Sequence, residues 1–134
     1  MAIKAILKWT DGLQFVARAG DSPAVVIDTH DGGGGPTPKE MVLMGVAGCT
    51  AVDVVSSLKK KRAAIDRFEV TIQGDQAEEY PRRYKAILIM YTEYGKDIKP
   101  KALQQAIELS RSKYCSATAS LNADVAFAYE IKEP

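Results

Sequence analysis

Histidine and cysteine are scarce in this chain, which limits the sites that it could build. The 134 residues include one histidine, His30, and two cysteines, Cys49 and Cys115, which lie far apart in the sequence. This spacing excludes a CxxC redox motif, and two cysteines do not make a disulfide-rich scaffold. One histidine and two distant cysteines do not supply a usual zinc site. We therefore expect no metal, no cofactor, and two free thiols in a reducing compartment.

The chain also lacks an excess of charge of either sign. Its 18 lysines and arginines nearly balance 17 aspartates and glutamates, which gives a formal net charge of +1. The isoelectric point is about 7.7, whereas dedicated nucleic-acid-binding domains usually exceed about 9. Aromatic residues make up only 7% of the chain and offer few platforms on which bases could stack. We expect no nucleic-acid partner.

A long apolar segment is missing as well. The longest uncharged stretch before the C-terminal third is Met41–Val52, and a membrane span needs about 20 apolar residues. Lysines interrupt the opening MAIKAILKW, which therefore does not form the apolar region of a signal peptide. We expect no membrane association and a cytoplasmic location.

The hydrophobic pattern predicts one domain, residues 1–134, of the α+β class. Alternating side chains predict a half-buried first strand within a three-stranded meander over residues 1–28. A long helix is predicted at Pro38–Ala63, followed by a hairpin of two strands, Phe68–Gln73 and Arg83–Tyr94. A second helix is predicted at Pro100–Lys113, a short helical turn at Ala117–Leu121 and a last strand at Ala123–Ile131. Because the strands come in antiparallel groups, a Rossmann-type sheet is not expected.

The segment DTHDGGGGPTP, residues 28–38, separates the meander from the long helix. Its four glycines are not followed by the Gly-Lys-Ser/Thr of a phosphate-binding loop, so a connector or an active-site flap is favoured. Thr37, Pro38 and Glu40 are typical of the N-cap, N1 and N3 positions of a helix, which form a capping box.

The first half of the long helix, Met41–Val55, is apolar on nearly every face. Helices of this kind are buried all round, and one chain of this size cannot easily cover such a helix. We therefore expect a second copy of the chain to cover it in a homodimer.

Cys49 is the first candidate for a reactive group. It follows Gly45 and Gly48 within the predicted helix, and each glycine costs about 1 kcal/mol there unless a backbone or a ligand comes close. A free cysteine is also a frequent packing residue, so that role stays open. Asp53 lies on the same helix face, where its charge disfavours a thiolate; we expect it to pair with a cation or to cap a neighbouring element.

Cys115 is the second candidate. It follows the second long helix and precedes Ser116–Thr118, which would place it at the N-terminus of a short helix, where a thiolate is favoured. The two thiols could form an attacking and resolving pair, but only the fold can bring them close enough for a disulfide. A packed thiol at a helix junction is the alternative.

The segment Pro38–Cys49, PKEMVLMGVAGC, resembles the start of the central helix in the OsmC/Ohr family, the osmotically inducible protein C and organic hydroperoxide resistance proteins. Cys115 is similar to the family's second cysteine, and Asp53–Val55 is typical of its YhfA-like branch. The resemblance covers nearly the whole chain. It implies an intertwined homodimer, in which antiparallel sheets from both chains wrap long central helices and the active sites lie at the interface.

The resemblance also implies a cysteine-based hydroperoxide reductase in oxidative-stress defence. Cys49 is then the peroxidatic thiol and Cys115 the resolving one, the substrate is a small organic hydroperoxide, and a dithiol reductant restores the thiols. Family members carry an activating arginine on an N-terminal strand, paired with a glutamate directly after the proline. Arg18 is the candidate for that arginine and Glu40 for the glutamate, although Lys39 follows the proline here.

Two other functions stay open at this point. Lys39 in place of the family's glutamate favours a non-catalytic OsmC-like protein that binds a hydrophobic ligand at the dimer interface. A redox sensor is the other alternative. Hydroperoxide consumption that depends on Cys49 separates an enzyme from a ligand-binding protein.

Overall fold

The computed structural model describes all 134 residues and confirms the α+β class. The strands are β1 Ala5–Asp11, β2 Gln14–Ala19, β3 Val25–Ile27, β4 Arg67–Gln76, β5 Tyr84–Tyr94 and β6 Asp124–Lys132. The helices are α1 Pro38–Lys60, α2 Pro100–Leu109 and α3 Ser116–Ala119, with a π-helical turn at Ser110–Tyr114 between the last two. The chain forms two compact units, Met1–Val42 and Leu43–Pro134.

The first unit contains the predicted meander, an antiparallel sheet in the order β1-β2-β3. Gly12 closes the first turn with a φ of 55°, a conformation that suits glycine. The expectation that β1 is half-buried is wrong for this chain, since every residue of the strand is exposed. Its large apolar side chains are open to solvent, with Leu7 53% and Trp9 66% exposed.

The start of α1 has the predicted capping box. The Thr37 amide donates to the Glu40 carboxylate at 2.9 Å, and the Glu40 amide donates to the Thr37 hydroxyl at 3.1 Å. Pro38 is the first helical residue, where a missing amide hydrogen has no cost. These bonds satisfy two of the free amides at the helix start.

The end of α1 comes at Lys60, three residues before the predicted end. The Ala63 amide donates to the Leu58 carbonyl and the Arg62 amide to the Lys59 carbonyl, both at 3.0 Å. Arg62 has a φ of 58°, so the chain turns in a Schellman motif. Glycine usually takes this position, and its absence explains why the sequence did not indicate the stop.

The second unit contains a sheet in the order β4-β5-β6. The β4–β5 hairpin is confirmed, but β6 pairs parallel to β5, which corrects the expectation of antiparallel sheets throughout. The segment between β5 and β6 runs through α2 and α3, and such a helical crossover returns the chain to the same end of the sheet.

The core of the second unit lies between the sheet and two helices. It combines Val46, Val54 and Leu58 of α1 with Ile87, Ile89 and Tyr91 of β5 and with Leu103, Ala106 and Ile107 of α2. Within α1, burial is limited to every fourth residue: Val46, Thr50, Val54 and Leu58. Because Met44 is 55% and Val52 69% exposed, one chain covers one stripe of this helix rather than all of it.

By length and composition alone, α1 is apolar enough to cross a membrane. Its mean hydropathy reaches 1.8 over an 18-residue window, of which 22% is buried. One such helix is weak evidence, since core helices of soluble proteins meet the same criteria. Thr50 and Asp53 of this helix form hydrogen bonds with other polar side chains of the chain.

Candidate active site

The candidate site lies where the middle of α1 meets the segment between α2 and α3. The predicted helix over Pro100–Lys113 changes after Leu109 into a π-helical turn, a feature frequent at functional sites. The Cys115 amide donates to the Ser110 carbonyl at 2.9 Å, which closes this turn. Cys115 is then the N-cap residue of α3, with the extended backbone typical of that position.

The fold brings the two cysteines together. The Sγ atoms of Cys49 and Cys115 and a carboxylate oxygen of Asp53 all lie within 4.8 Å of one another. Cys49 is half-buried and Cys115 is 5% exposed, and both are free thiols. Because an S–S bond is about 2.05 Å long, the two sulfurs would have to move closer by no more than about 2.8 Å to form a disulfide. We expected no metal site because the cysteines are far apart in the sequence, but the fold brings them close together in space.

A chain of hydroxyl groups leads from the core to Asp53. Ser110 Oγ donates to Asp53 Oδ2 at 2.8 Å, Ser110 and Thr50 are 2.8 Å apart, and Thr50 and Tyr91 are 2.6 Å apart. A hydroxyl has one hydrogen to donate. Since Ser110 uses its hydrogen on Asp53, Thr50 donates to Ser110 and Tyr91 donates to Thr50. All three hydroxyls thus point their dipoles toward the carboxylate, which has a serine rather than the expected cation as its partner.

The electrostatics of the site differ between its groups. Burial raises the pKa of the Cys115 thiol and the adjacent Cys49 raises it further, although contacts to the Thr118 hydroxyl and amide lower it. The sequence correctly placed Cys115 at the start of a short helix, whereas burial acts against the thiolate that was expected there. Burial likewise raises the pKa of Tyr91 to about 12, which keeps its hydroxyl a donor.

Arg18 and Glu40 belong to the first unit. The Arg18 guanidinium donates to the carbonyls of Ser22 at 2.9 Å and Asp21 at 3.4 Å, across the turn after β2. The Glu40 carboxylate accepts the Thr37 amide, and this bond lowers the pKa of Glu40. Arg18 and Glu40 form no ion pair with each other within one chain, and their action on Cys49 stays a prediction.

Sequence reasoning missed the buried hydroxyl groups that lead to Asp53. Thr50, Ser110 and Tyr91 are each 0% exposed and make the chain described above. Ser110 carried the one available signal, since it falls on the apolar face of the predicted second helix, and a buried hydroxyl needs a hydrogen-bond partner. Nothing in the sequence indicated that the partners lie on α1.

Comparisons with known proteins agree on one family. Residues 30–130 match the family described as OsmC-like protein. Protein YhfA of Escherichia coli K12 is 35% identical over 131 residues, which cover 96% of this chain and 98% of that protein.

Solved structures extend the comparison. A hypothetical protein from Aquifex aeolicus is 28% identical, with a TM-score of 0.90 over 100% of this chain and 98% of the other. The organic hydroperoxide resistance protein OhrB of Bacillus subtilis is 17% identical, with a TM-score of 0.65 over 97% of this chain and 98% of the other. At that identity the similarity to OhrB shows the fold alone.

Proposed function

This chain belongs to the OsmC-like protein family, and from that premise we propose that it is a thiol-dependent peroxidase that reduces small organic hydroperoxides in oxidative-stress defence. Several structures of the same fold are named organic hydroperoxide resistance proteins. The observation that carries the proposal is the approach of the Cys49 and Cys115 sulfurs to within 4.8 Å. Two free thiols at that distance support an attacking and resolving pair in a reducing compartment such as the cytoplasm.

The difference in burial supports the assignment of the two roles. Cys49 is half-buried, whereas Cys115 is 5% exposed and has a raised pKa. Cys49, as thiolate, attacks the outer oxygen of the hydroperoxide; the O–O bond breaks, and the alkoxide leaves as an alcohol after taking a proton. The Cys49 sulfenic acid that forms is the first oxidised state of a peroxidatic cysteine.

Cys115 completes the cycle by resolving the sulfenic acid. Its sulfur attacks the Cys49 sulfur, the S–S bond forms, and hydroxide leaves as water. A dithiol reductant then returns the disulfide to two thiols and is itself oxidised to a disulfide. Because burial keeps Cys115 protonated at rest, this step needs a proton acceptor, and the Asp53 carboxylate lies within 4.8 Å of both sulfurs.

A homodimer is part of this proposal. The exposed side of α1, with Met44 and Val52, and the exposed strand β1, with Trp9, are apolar surfaces that one chain leaves uncovered. Apolar surface of this extent typically marks an interaction site. A second copy of the chain would cover it, and Arg18, supported by Glu40, would then activate Cys49 at the interface.

One observation favours a second candidate, the binding of a hydrophobic ligand. A shallow apolar depression of about 680 Å³, largely open to solvent, lies along the exposed side of α1, lined by Ala51, Val52, Val55, Ser56, Lys59 and Lys60. This volume falls in the range of small-molecule sites. In that case the thiols would be incidental, or would report the redox state as a sensor.

Consumption of cumene hydroperoxide in the presence of a dithiol reductant tests the proposal. We expect wild type to consume the peroxide with multiple turnovers and Cys49→Ser to lose the reaction by at least about 100-fold. Cys115→Ser should complete the first turnover and then slow. Ser112→Ala, at an exposed hydroxyl bonded only to the Glu108 carbonyl, is the matched control. Equal consumption by wild type and Cys49→Ser would contradict the peroxidase and leave the ligand-binding function.

A further inference from the structure

The two thiols and the Asp53 carboxylate form a triangle close in size to a metal site. The Sγ atoms of Cys49 and Cys115 and the carboxylate oxygen are within 4.8 Å of one another. A tetrahedral zinc ion, with Zn–S of about 2.3 Å and Zn–O of about 2.0–2.2 Å, separates such ligand atoms by roughly 3.5–3.8 Å. The atoms therefore need to move together by about 1 Å, which small side-chain rotations provide.

Hydrogen bonds already orient the carboxylate in this triangle. Ser110 donates to Asp53 Oδ2 and is itself held by Thr50, and both hydroxyls are fully buried. A carboxylate has about four lone-pair sites on its two oxygens, so Asp53 can accept the Ser110 hydrogen bond and still bind a metal. Outer hydrogen bonds of this kind fix the ligands of metal sites and commonly change affinity by about 10- to 100-fold.

We propose that the reduced protein binds one thiophilic divalent cation of the zinc class through Cys49, Asp53 and Cys115. The donor set fits because thiolates select zinc-like ions, whereas magnesium and calcium prefer oxygen ligands alone. Three protein ligands leave the fourth tetrahedral position for water. The cation replaces the two thiol protons, so binding strengthens as the pH rises.

Metal binding and disulfide formation exclude each other because they use the same two sulfurs. A bound cation holds both thiolates in metal bonds, so neither sulfur is free to attack. In the proposed peroxidase the ion would therefore act as a reversible inhibitor that protects the thiols from oxidation. This regulatory part rests on the proposed function, whereas the binding of the metal itself does not.

The test uses the fully reduced full-length chain, free of peroxide, titrated with Zn²⁺ or Co²⁺ alone. We expect one ion per chain, a thiolate-to-cobalt charge-transfer band, and two sulfur neighbours at about 2.3 Å in X-ray absorption of the zinc form. Cys49→Ser and Cys115→Ser should each weaken binding by at least about 100-fold, and Asp53→Asn by at least about tenfold. Asp66→Asn, an exposed aspartate outside the site, is the matched control and should bind as wild type does.

Three results would overturn the proposal: no sulfur neighbour, only one sulfur neighbour, or equal affinity in Asp53→Asn and wild type. If Asp53→Asn does not fold, the X-ray absorption of wild type still decides the number of sulfur ligands. Peroxide consumption of chelator-treated protein is measured separately. Absent metal binding with intact consumption overturns this inference alone, whereas intact binding without consumption overturns the peroxidase.

Discussion

Ser110 donates a 2.8 Å hydrogen bond to Asp53 across 57 residues of sequence. This bond joins the end of α2 to the middle of α1 at the level of both cysteines. Because Thr50 and Tyr91 continue it into the core, the carboxylate beside the thiols has a fixed position and a set of aligned donors. The geometry of the candidate site is therefore tied to the packing of the second unit.

The hydroxyl chain predicts that Ser110→Ala lowers the stability of the fold and also slows disulfide formation between Cys49 and Cys115. The change leaves Asp53 and Thr50 without their shared partner, and unsatisfied buried groups cost roughly 1–3 kcal/mol. We expect the free energy of unfolding in urea to fall by that amount and disulfide formation after a peroxide pulse to slow. Ser112→Ala, at an exposed hydroxyl, should change the unfolding free energy by less than about 0.5 kcal/mol. An equal loss in both variants would contradict the role of the hydroxyl chain.

The assignment of Cys49 as the attacking thiol predicts the order of oxidation. One equivalent of organic hydroperoxide should convert Cys49 to sulfenic acid first, and in Cys115→Ser this species should persist because no internal thiol resolves it. Trapping with a sulfenic-acid-specific probe, followed by mass spectrometry, measures the site and the lifetime. Oxidation of Cys115 with Cys49 untouched would reverse the roles.

The raised pKa of Cys115 predicts the pH dependence of the resolving step. Burial disfavours the thiolate, so at neutral pH fewer Cys115 side chains are ionised than for an exposed cysteine. The rate of disulfide formation, measured by rapid mixing after sulfenic acid has formed, should rise with pH through and above neutrality. Asp53→Asn should slow this step at neutral pH while leaving sulfenic acid formation close to wild type. A resolving rate that is independent of pH would contradict this role of burial.

Local features of the fold could be predicted because their signals are local. Thr37, Pro38 and Glu40 indicated the capping box from their spacing alone, and Leu103, Ala106 and Ile107 indicated the buried face of α2. The parallel pairing of β6 could not be predicted in this way, since it depends on where the crossover through α2 and α3 returns the chain.

In the candidate site, too, the features with a local sequence signal could be predicted, and those that depend on tertiary packing could not. The sequence singled out both cysteines as reactive candidates, because thiols are few and one follows two helical glycines. Their approach, and the contact between Thr50 and Ser110, are products of tertiary packing that no spacing reveals. The raised pKa of Cys115 could not be predicted for the same reason, since it comes from burial in the fold and from Cys49 on α1.

A buried carboxylate in the second unit predicts a pH-dependent stability. Glu93 is 1% exposed and its Oε2 has no hydrogen-bond partner, and burial raises its pKa above the ordinary 4.5. As the pH rises, Glu93 therefore ionises in the unfolded chain before it ionises in the folded one. The free energy of unfolding falls between the unfolded and the folded pKa of this group, and the loss is complete above both. Below the unfolded pKa of glutamate the effect is absent.

Glu93→Gln tests this dependence because glutamine does not ionise. The unfolding free energy of wild type, relative to the variant, should fall as the pH rises from about 4 toward neutral and then level off. Chemical denaturation at a series of pH values measures the difference. Glu79→Gln, at an exposed turn position, should give curves that stay parallel to wild type. Parallel curves for Glu93→Gln as well would contradict a raised pKa.

The exposed side of α1 predicts how the proposed dimer can be broken. Val52 is 69% exposed in one chain, so a charge there costs an isolated monomer little. In a dimer that covers this side of the helix, Val52→Lys would bury an unpaired charge, which is strongly unfavourable. Light scattering at micromolar concentration should give twice the chain mass of 14.6 kDa for wild type and the single mass for Val52→Lys. Lys101→Glu, an exposed charge change on α2, should remain dimeric. A wild type that is monomeric at this concentration would contradict the dimer, whereas a dimeric Val52→Lys would place the interface away from this side of α1.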